Sequence, residues 1–111
     1  MFDMMGMMGK IKEAQAKIKE AQEKLKDVTV TAESGAGLVK ATVNGHRQLL
    51  KIEIDESILN VNDREMVNDL VVAAVNNAML TAGERAQEEM RKHTEGLIPN
   101  IPGLDLGSFG L

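Results

Sequence analysis

The chain has 111 residues, with 13 Lys and Arg against 17 Asp and Glu, no Cys, no Trp, no Tyr and two Phe. That length suits one domain burying roughly 65% of its unfolded surface, and the missing cysteines exclude disulfides, a thiol nucleophile and a sulfur-ligated metal. The net charge of −4 excludes a uniformly basic binder of nucleic acid, leaving segregated charge as the pattern to look for.

The opening Met1-Phe2-Asp3-Met4-Met5-Gly6-Met7-Met8-Gly9 is apolar but has no basic stretch and no long apolar run. Neither a signal peptide nor a transmembrane span is expected. From Met4 to Val28 the apolar positions step by three and four through Met7, Ile11, Ala14, Ile18, Ala21 and Leu25, which predicts one helix with an a/d heptad seam. Glu13 with Lys17, and Glu20 with Lys24, are correctly oriented i,i+4 pairs. Such a helix is marginal alone, so its seam must pack on something.

Residues 28–33 switch to period two, with Val28, Val30 and Ala32 on one side and Thr29 and Thr31 on the other. Val39, Ala41 and Val43, then Leu50, Ile52 and Ile54, predict two further strands. Asn44-Gly45 between them predicts a two-residue type I′ hairpin, and Gly35 and Gly37 mark the preceding turn. A short turn at Ser57 to Leu59 leads to a second helix from about Asp63 to His93, with Asn62 as N-cap, Glu65 completing a capping box and Gly96 as the stop. Through Leu80 this helix is apolar on nearly every side, so a sheet and a second subunit are both needed to cover it. At ~45 Å it outruns a three-stranded sheet, and part of it should project. The core is necessarily aliphatic and Met-built, because both Phe2 and Phe109 lie near the termini.

The resulting fold class is α+β: helix, three-stranded antiparallel sheet, long helix. A single domain is expected over residues 1–95, followed by a flexible Gly/Pro-rich tail over 96–111. Residues 35–55, with Ala73-Ala74-Val75-Asn76-Asn77-Ala78 and the Pro102-Gly103 pair, resemble the YbaB/EbfC family of small bacterial nucleoid-associated proteins. The resemblance implies a two-fold, tweezer-like homodimer with projecting helices that binds double-stranded DNA. It places the protein in the cytoplasm, at the nucleoid. Leu70, Ala74, Asn77 and Ala78 are the expected dimer contacts, with Asn76 and Asn77 suited to pinning helix register.

Charge is segregated on the first helix. Lys10, Lys17 and Lys24 form one heptad column and Lys12, Lys19 and Lys26 another, flanking the Ile11, Ile18, Leu25 line for ~24 Å. Spacing alone reads these rails as solvated coiled-coil flanks; the resemblance reads them as a surface that neutralises DNA phosphates. Arg85, Arg91 and Lys92 are second-rank candidates, sharing their segment with Glu84, Glu88, Glu89 and Glu95. Lys40, Arg47 and Lys51 suit the solvated side of a half-buried sheet. With almost no aromatic side chains to stack bases, the target should be duplex DNA held through phosphates, with low sequence specificity.

Catalysis is not expected. His46 and His93 have no Ser, Cys or paired carboxylate at telling spacing, and Gly35-Ala36-Gly37 leads into a strand where a phosphate loop would lead into a helix. Neither a metal nor a cofactor is expected. The alternative, from another class, is a cytoplasmic coiled-coil module that binds a protein through its Met-rich start or apolar tail.

Overall fold

The computed structural model describes residues 4–94, in the order α1 (Met4–Lys24), β1 (Thr29–Ser34), β2 (Val39–Asn44), β3 (Leu49–Ile54) and α2 (Arg64–Thr94). This is the expected α+β order, with an antiparallel sheet arranged β1-β2-β3. The 96–111 tail and the Gly96 stop signal lie outside the described residues. A 3₁₀ turn at Leu25–Asp27 ends α1, and two more at Glu56–Ile58 and Val61–Asp63 lead into α2.

The sheet register follows the period-two pattern. Val30 pairs with Val43, Ala32 with Ala41, and Ile54 with Val39, so these side chains share one face. On the central strand Val39, Ala41 and Val43 are fully buried under α2. The opposite face is wet, with Thr31 and Thr42 sharing a hydroxyl hydrogen bond. α2 places Ala74, Ala78 and Ala82 against β1 and β2. Four-residue spacing of the smallest apolar side chain lets a helix axis sit close to the strands.

Here the structure corrects the expected dimer contacts. Ala74 and Ala78 are fully buried within the chain's own core and have no surface left for a partner. Leu70 packs half-buried on the same core, and its carbonyl accepts from the Ser34 hydroxyl. Of the four residues only Asn77 is exposed. A helix apolar on all sides does not itself say which side meets its own sheet.

The β2–β3 hairpin is where expected, but it is built differently. In place of a two-residue type I′ turn, Gly45, His46 and Arg47 form a loop between Asn44 and Gln48, with Arg47 N donating to Asn44 O. Only Arg47 in this loop takes a positive φ, of 60°. A turn followed by one left-handed residue is a standard three-residue connection. The Asn44 side chain holds it, its Oδ1 accepting from the N–H groups of His46 and Gln48. The Gly45 N–H is shared between the carbonyls of Leu25 (2.9 Å) and Val28 (2.8 Å). A Cβ at Gly45 would lie 2.4 Å from Leu25 O. The glycine therefore serves a close approach of two backbones, and not the turn's dihedrals.

A bulge next to Thr42 and Val43 pairs Val43 with Leu49 and inserts Leu50 before Lys51. It breaks the expected Leu50, Ile52, Ile54 alternation. Further on, Asp55 accepts from Ser57 N at 2.9 Å, and the Ser57 hydroxyl and N–H hold its carboxyl below the usual value. The cap before α2 is Asn60, not Asn62. Asn60 Oδ1 accepts from Asp63 N, and its Nδ2 donates to the Asp63 carboxylate. The Asn60–Asp63 pair thus takes the start that Asn62 and Glu65 were expected to form.

Gly45→Ala should destabilise the protein by about 1–3 kcal/mol, the usual cost of forcing atoms into a filled site. Urea unfolding checks this; a loss below half a kcal/mol would mean that the Leu25 backbone yields easily.

Candidate nucleic-acid interface

Two clusters of buried side chains divide the protein into a body and an arm. The first lies between the sheet and the early part of α2. The second joins the end of α1 to the end of α2 through Ile18, Ala21, Leu25 and Met90, with Ala86 and Val28 packed alongside. The heptad seam of α1 thus closes on its own chain over residues 18–25. Its start is open: Met4, Met7 and Ile11 are exposed. The later part of α2 runs on with the end of α1 packed against it, and the described residues measure 75 × 23 × 16 Å along their principal axes.

All six rail lysines on α1 and its 3₁₀ turn are exposed. The two rails differ in their company. Lys17 pairs with Glu13 at 3.4 Å and Lys24 with Glu20 at 3.2 Å. Among the described residues, Lys10, Lys12, Lys19 and Lys26 have no carboxylate partner within ion-pair distance. Exposed helix pairs contribute about 0.3–0.5 kcal/mol, so Lys17 and Lys24 can exchange their partner for a phosphate.

The basic residues of α2 are more committed. Arg91 meets Glu88 at 2.9 Å, Lys92 meets Glu89 at 3.9 Å, and His93 lies 3.8 Å from Glu89. Arg85 donates to the Thr29 carbonyl at 3.3 Å, fastening the helix to the edge of β1. These residues share the arm with the α1 rails. Of the three basic residues expected on the solvated side of the sheet, Lys40 and Lys51 are exposed there, Lys51 pairing with Glu53 at 3.0 Å and Lys40 standing opposite Glu53, while Arg47 sits in the hairpin loop instead of on a strand.

Arg47 instead borders a cleft of about 480 Å³ at the junction of arm and body, lined by Gln22, His46, Arg47, Gly83 and Gln87 among others and by no carboxylate. His46 Nε2 lies 2.7 Å from the Gln22 carbonyl, which can only accept, so Nε2 carries the proton and caps the last turn of α1. The Arg47 guanidinium lies over Gly83, where a Cβ would come within 3.2 Å of it. Two local preferences are overridden here. Glycine inside a helix costs about 1 kcal/mol relative to alanine, and a non-glycine residue in the left-handed region costs about 1–3 kcal/mol. Sequence reasoning did not join these residues; an interior helix glycine was the signal available.

Among the described residues no helix is long and apolar enough to cross a membrane, and no group of three His, Asp or Glu side chains is placed to hold a metal. Fold and surface together define a small α+β protein with a lysine-edged helical arm. The chain belongs to the YbaB/EbfC DNA-binding family, which matches residues 1–97. Nucleoid-associated protein SSP2277 of Staphylococcus saprophyticus is 48% identical over 75 residues, covering 68% of this chain and 70% of that one. Nucleoid-associated protein SaurJH9_0500 of Staphylococcus aureus is 45% identical over 75 residues, with the same coverage. The crystal structure of the uncharacterized protein HP0035 from Helicobacter pylori shares the fold, with a TM-score of 0.67 at 26% identity over 79% of this chain and 92% of that one.

Proposed function

We propose that this protein is a nucleoid-associated binder of double-stranded DNA, acting in the cytoplasm as a two-fold dimer. The observation that carries the reading is the arm: Lys10, Lys12, Lys17, Lys19, Lys24 and Lys26 are all exposed along one projecting helix of a YbaB/EbfC family chain. Residues 1–95 form the binding domain in this account. Lysines on a helix flank offer point charges to phosphates and no pattern of donors to base edges, so binding is weak in sequence terms. Arg91 and Lys92 add secondary contacts where a phosphate displaces Glu88 or Glu89, and Arg85 adds one where a phosphate replaces the Thr29 carbonyl. The dimer doubles the contacts on one duplex, and organisation of the nucleoid follows from that grip.

The surface we assign to the partner subunit lies beside α2. Because α2 covers β1 and β2, the edge strand β3 keeps an open apolar side, with Leu49 43%, Leu50 53% and Ile52 38% exposed. On α2, Val72 and Leu80 are also exposed, at 60% and 66%. Apolar surface of this extent on so small a chain is costly in water, and a second copy is its natural cover. Asn77, exposed on the same helix, is retained as a contact from the expected set.

Lys10→Glu, Lys12→Glu, Lys17→Glu and Lys19→Glu combined should weaken duplex binding more than about a hundredfold at moderate salt. Fluorescence anisotropy reads the binding, with circular dichroism as a check on helix content; unchanged affinity in a folded variant would remove α1 from the interface. Leu49→Asp with Ile52→Asp should give a monomer by light scattering. A variant that stays dimeric would place the partner elsewhere.

A further inference from the structure

Building on the duplex-binding reading, we propose that the two rails are unequal: the DNA track runs along Lys12, Lys19 and Lys26 and ends at Arg47, which holds a backbone phosphate in the cleft at the arm–body junction.

The two sides of α1 differ in what borders them. Lys19, Gln22 and Lys26 follow at spacings of three and four and therefore share one flank. Gln22 lines the cleft, and His46 donates to its carbonyl. The Lys12, Lys19, Lys26 flank is thus the one that leads to the hairpin tip. It carries no ion pair among the described residues, whereas the Lys10, Lys17, Lys24 rail on the other side of the seam is tied to Glu13 and Glu20. Successive lysines of the track stand ~10.5 Å apart along the helix, and Lys12 to Lys26 spans ~21 Å.

Arg47 completes this track for three reasons. Its side chain is exposed and has no carboxylate partner among the described residues, so it is free to take an anion. It is held in place by a left-handed backbone and by the bare backbone of Gly83, two locally unfavourable choices that converge on one guanidinium. Its neighbours in the cleft, the Gln22 and Gln87 side chains, are uncharged hydrogen-bonding groups, and no acid there repels a phosphate. Breaks with local preference of this kind concentrate at functional sites. A guanidinium grips a phosphate through two parallel N–H bonds where an ammonium offers a point charge, so Arg47 sets where the duplex stops along the arm.

The test is anisotropy of a random-sequence duplex at several salt concentrations. Arg47→Asn removes the charge with a residue that tolerates the left-handed region, so the fold should hold. The slope of log affinity against log salt should shrink by about 0.9 for each arm engaged, with about fivefold weaker binding per arm at 0.15 M salt. Gly83→Ala, which displaces the guanidinium at constant net charge, should weaken binding without lowering the melting temperature. Lys12→Gln with Lys19→Gln should reduce the slope by more than Lys10→Gln with Lys17→Gln does. Lys40→Gln, a charge removed from the outer sheet face, should keep the wild-type slope. A wild-type slope in Arg47→Asn, or a larger loss from Lys10 and Lys17 than from Lys12 and Lys19, overturns the proposal while leaving duplex binding standing. Failure of the wild-type protein to bind at all overturns both.

Discussion

One shared hydrogen bond donor holds the architecture together. The Gly45 N–H lies between the carbonyls of Leu25 and Val28, at 2.9 and 2.8 Å, so the tip of the β2–β3 hairpin is fastened under the end of α1. Those carbonyls belong to a chain leaving a helix, and the Leu25 carbonyl accepts from Val28 N as well. The contact also fixes the direction in which α1 departs from the sheet. His46, next in the loop, caps the same helix end through Gln22. The exposed lysines are carried on a helix whose last turn is held from two sides, and the surface they present has a defined course relative to the body.

The packing on either side of this junction is of two kinds. Under the sheet, Ala74, Ala78 and Ala82 give close contact but little apolar mass. Along the arm, Met90 fills the space between Ile18, Ala21 and Leu25, where a flexible unbranched side chain suits an irregular gap. Neither cluster contains an aromatic ring. In the proposed dimer, a domain with so thin a core and an open β3 side gains from burying Leu49, Leu50 and Ile52. The same economy leaves the wet face of the sheet to Thr31, Thr42 and paired charges, which serve solubility.

Much of the fold was legible in the chain because periodicity is a local property. The alternation in β1 and β2 and the length of α2 appear where the pattern put them, while the helix expected over 4–28 ends at Lys24 and its seam is buried only over residues 18–25. Two of the departures share one cause, contact between residues distant in sequence, and a third is local. Asn44-Gly45 marked the hairpin correctly, yet the glycine answers to Leu25, twenty residues earlier, and not to a type I′ turn. Ala74 and Ala78 looked like a dimer seam because an all-apolar helix conceals which side its own sheet covers. Asn60 and Asn62 compete as caps, and the Asp63 carboxylate decides between them. Of the proposed binding surface, spacing showed the lysine columns, and only the family resemblance gave them a role. The seating of Arg47 over Gly83 could not be read from spacing, since the two are thirty-six residues apart.

Charge distribution explains how a chain of net charge −4 can address DNA. On α1 and its terminal turn, Lys10, Lys12, Lys17, Lys19, Lys24 and Lys26 outnumber Glu13, Glu20, Glu23 and Asp27, while the acids elsewhere lie mainly on the body and on α2. A local excess along a projecting helix acts within a Debye length of about 8–10 Å, at which the acids of the body are screened. Glu84, Glu88 and Glu89 on the arm are matched in number by Arg85, Arg91 and Lys92. We therefore attribute binding to phosphate contacts along this arm. Titrating a random-sequence duplex of ~30 base pairs across several salt concentrations tests this directly. A steep negative slope of log affinity against log salt is expected, about −0.9 for each phosphate neutralised. Binding that ignores salt, or no binding at low salt, would contradict it.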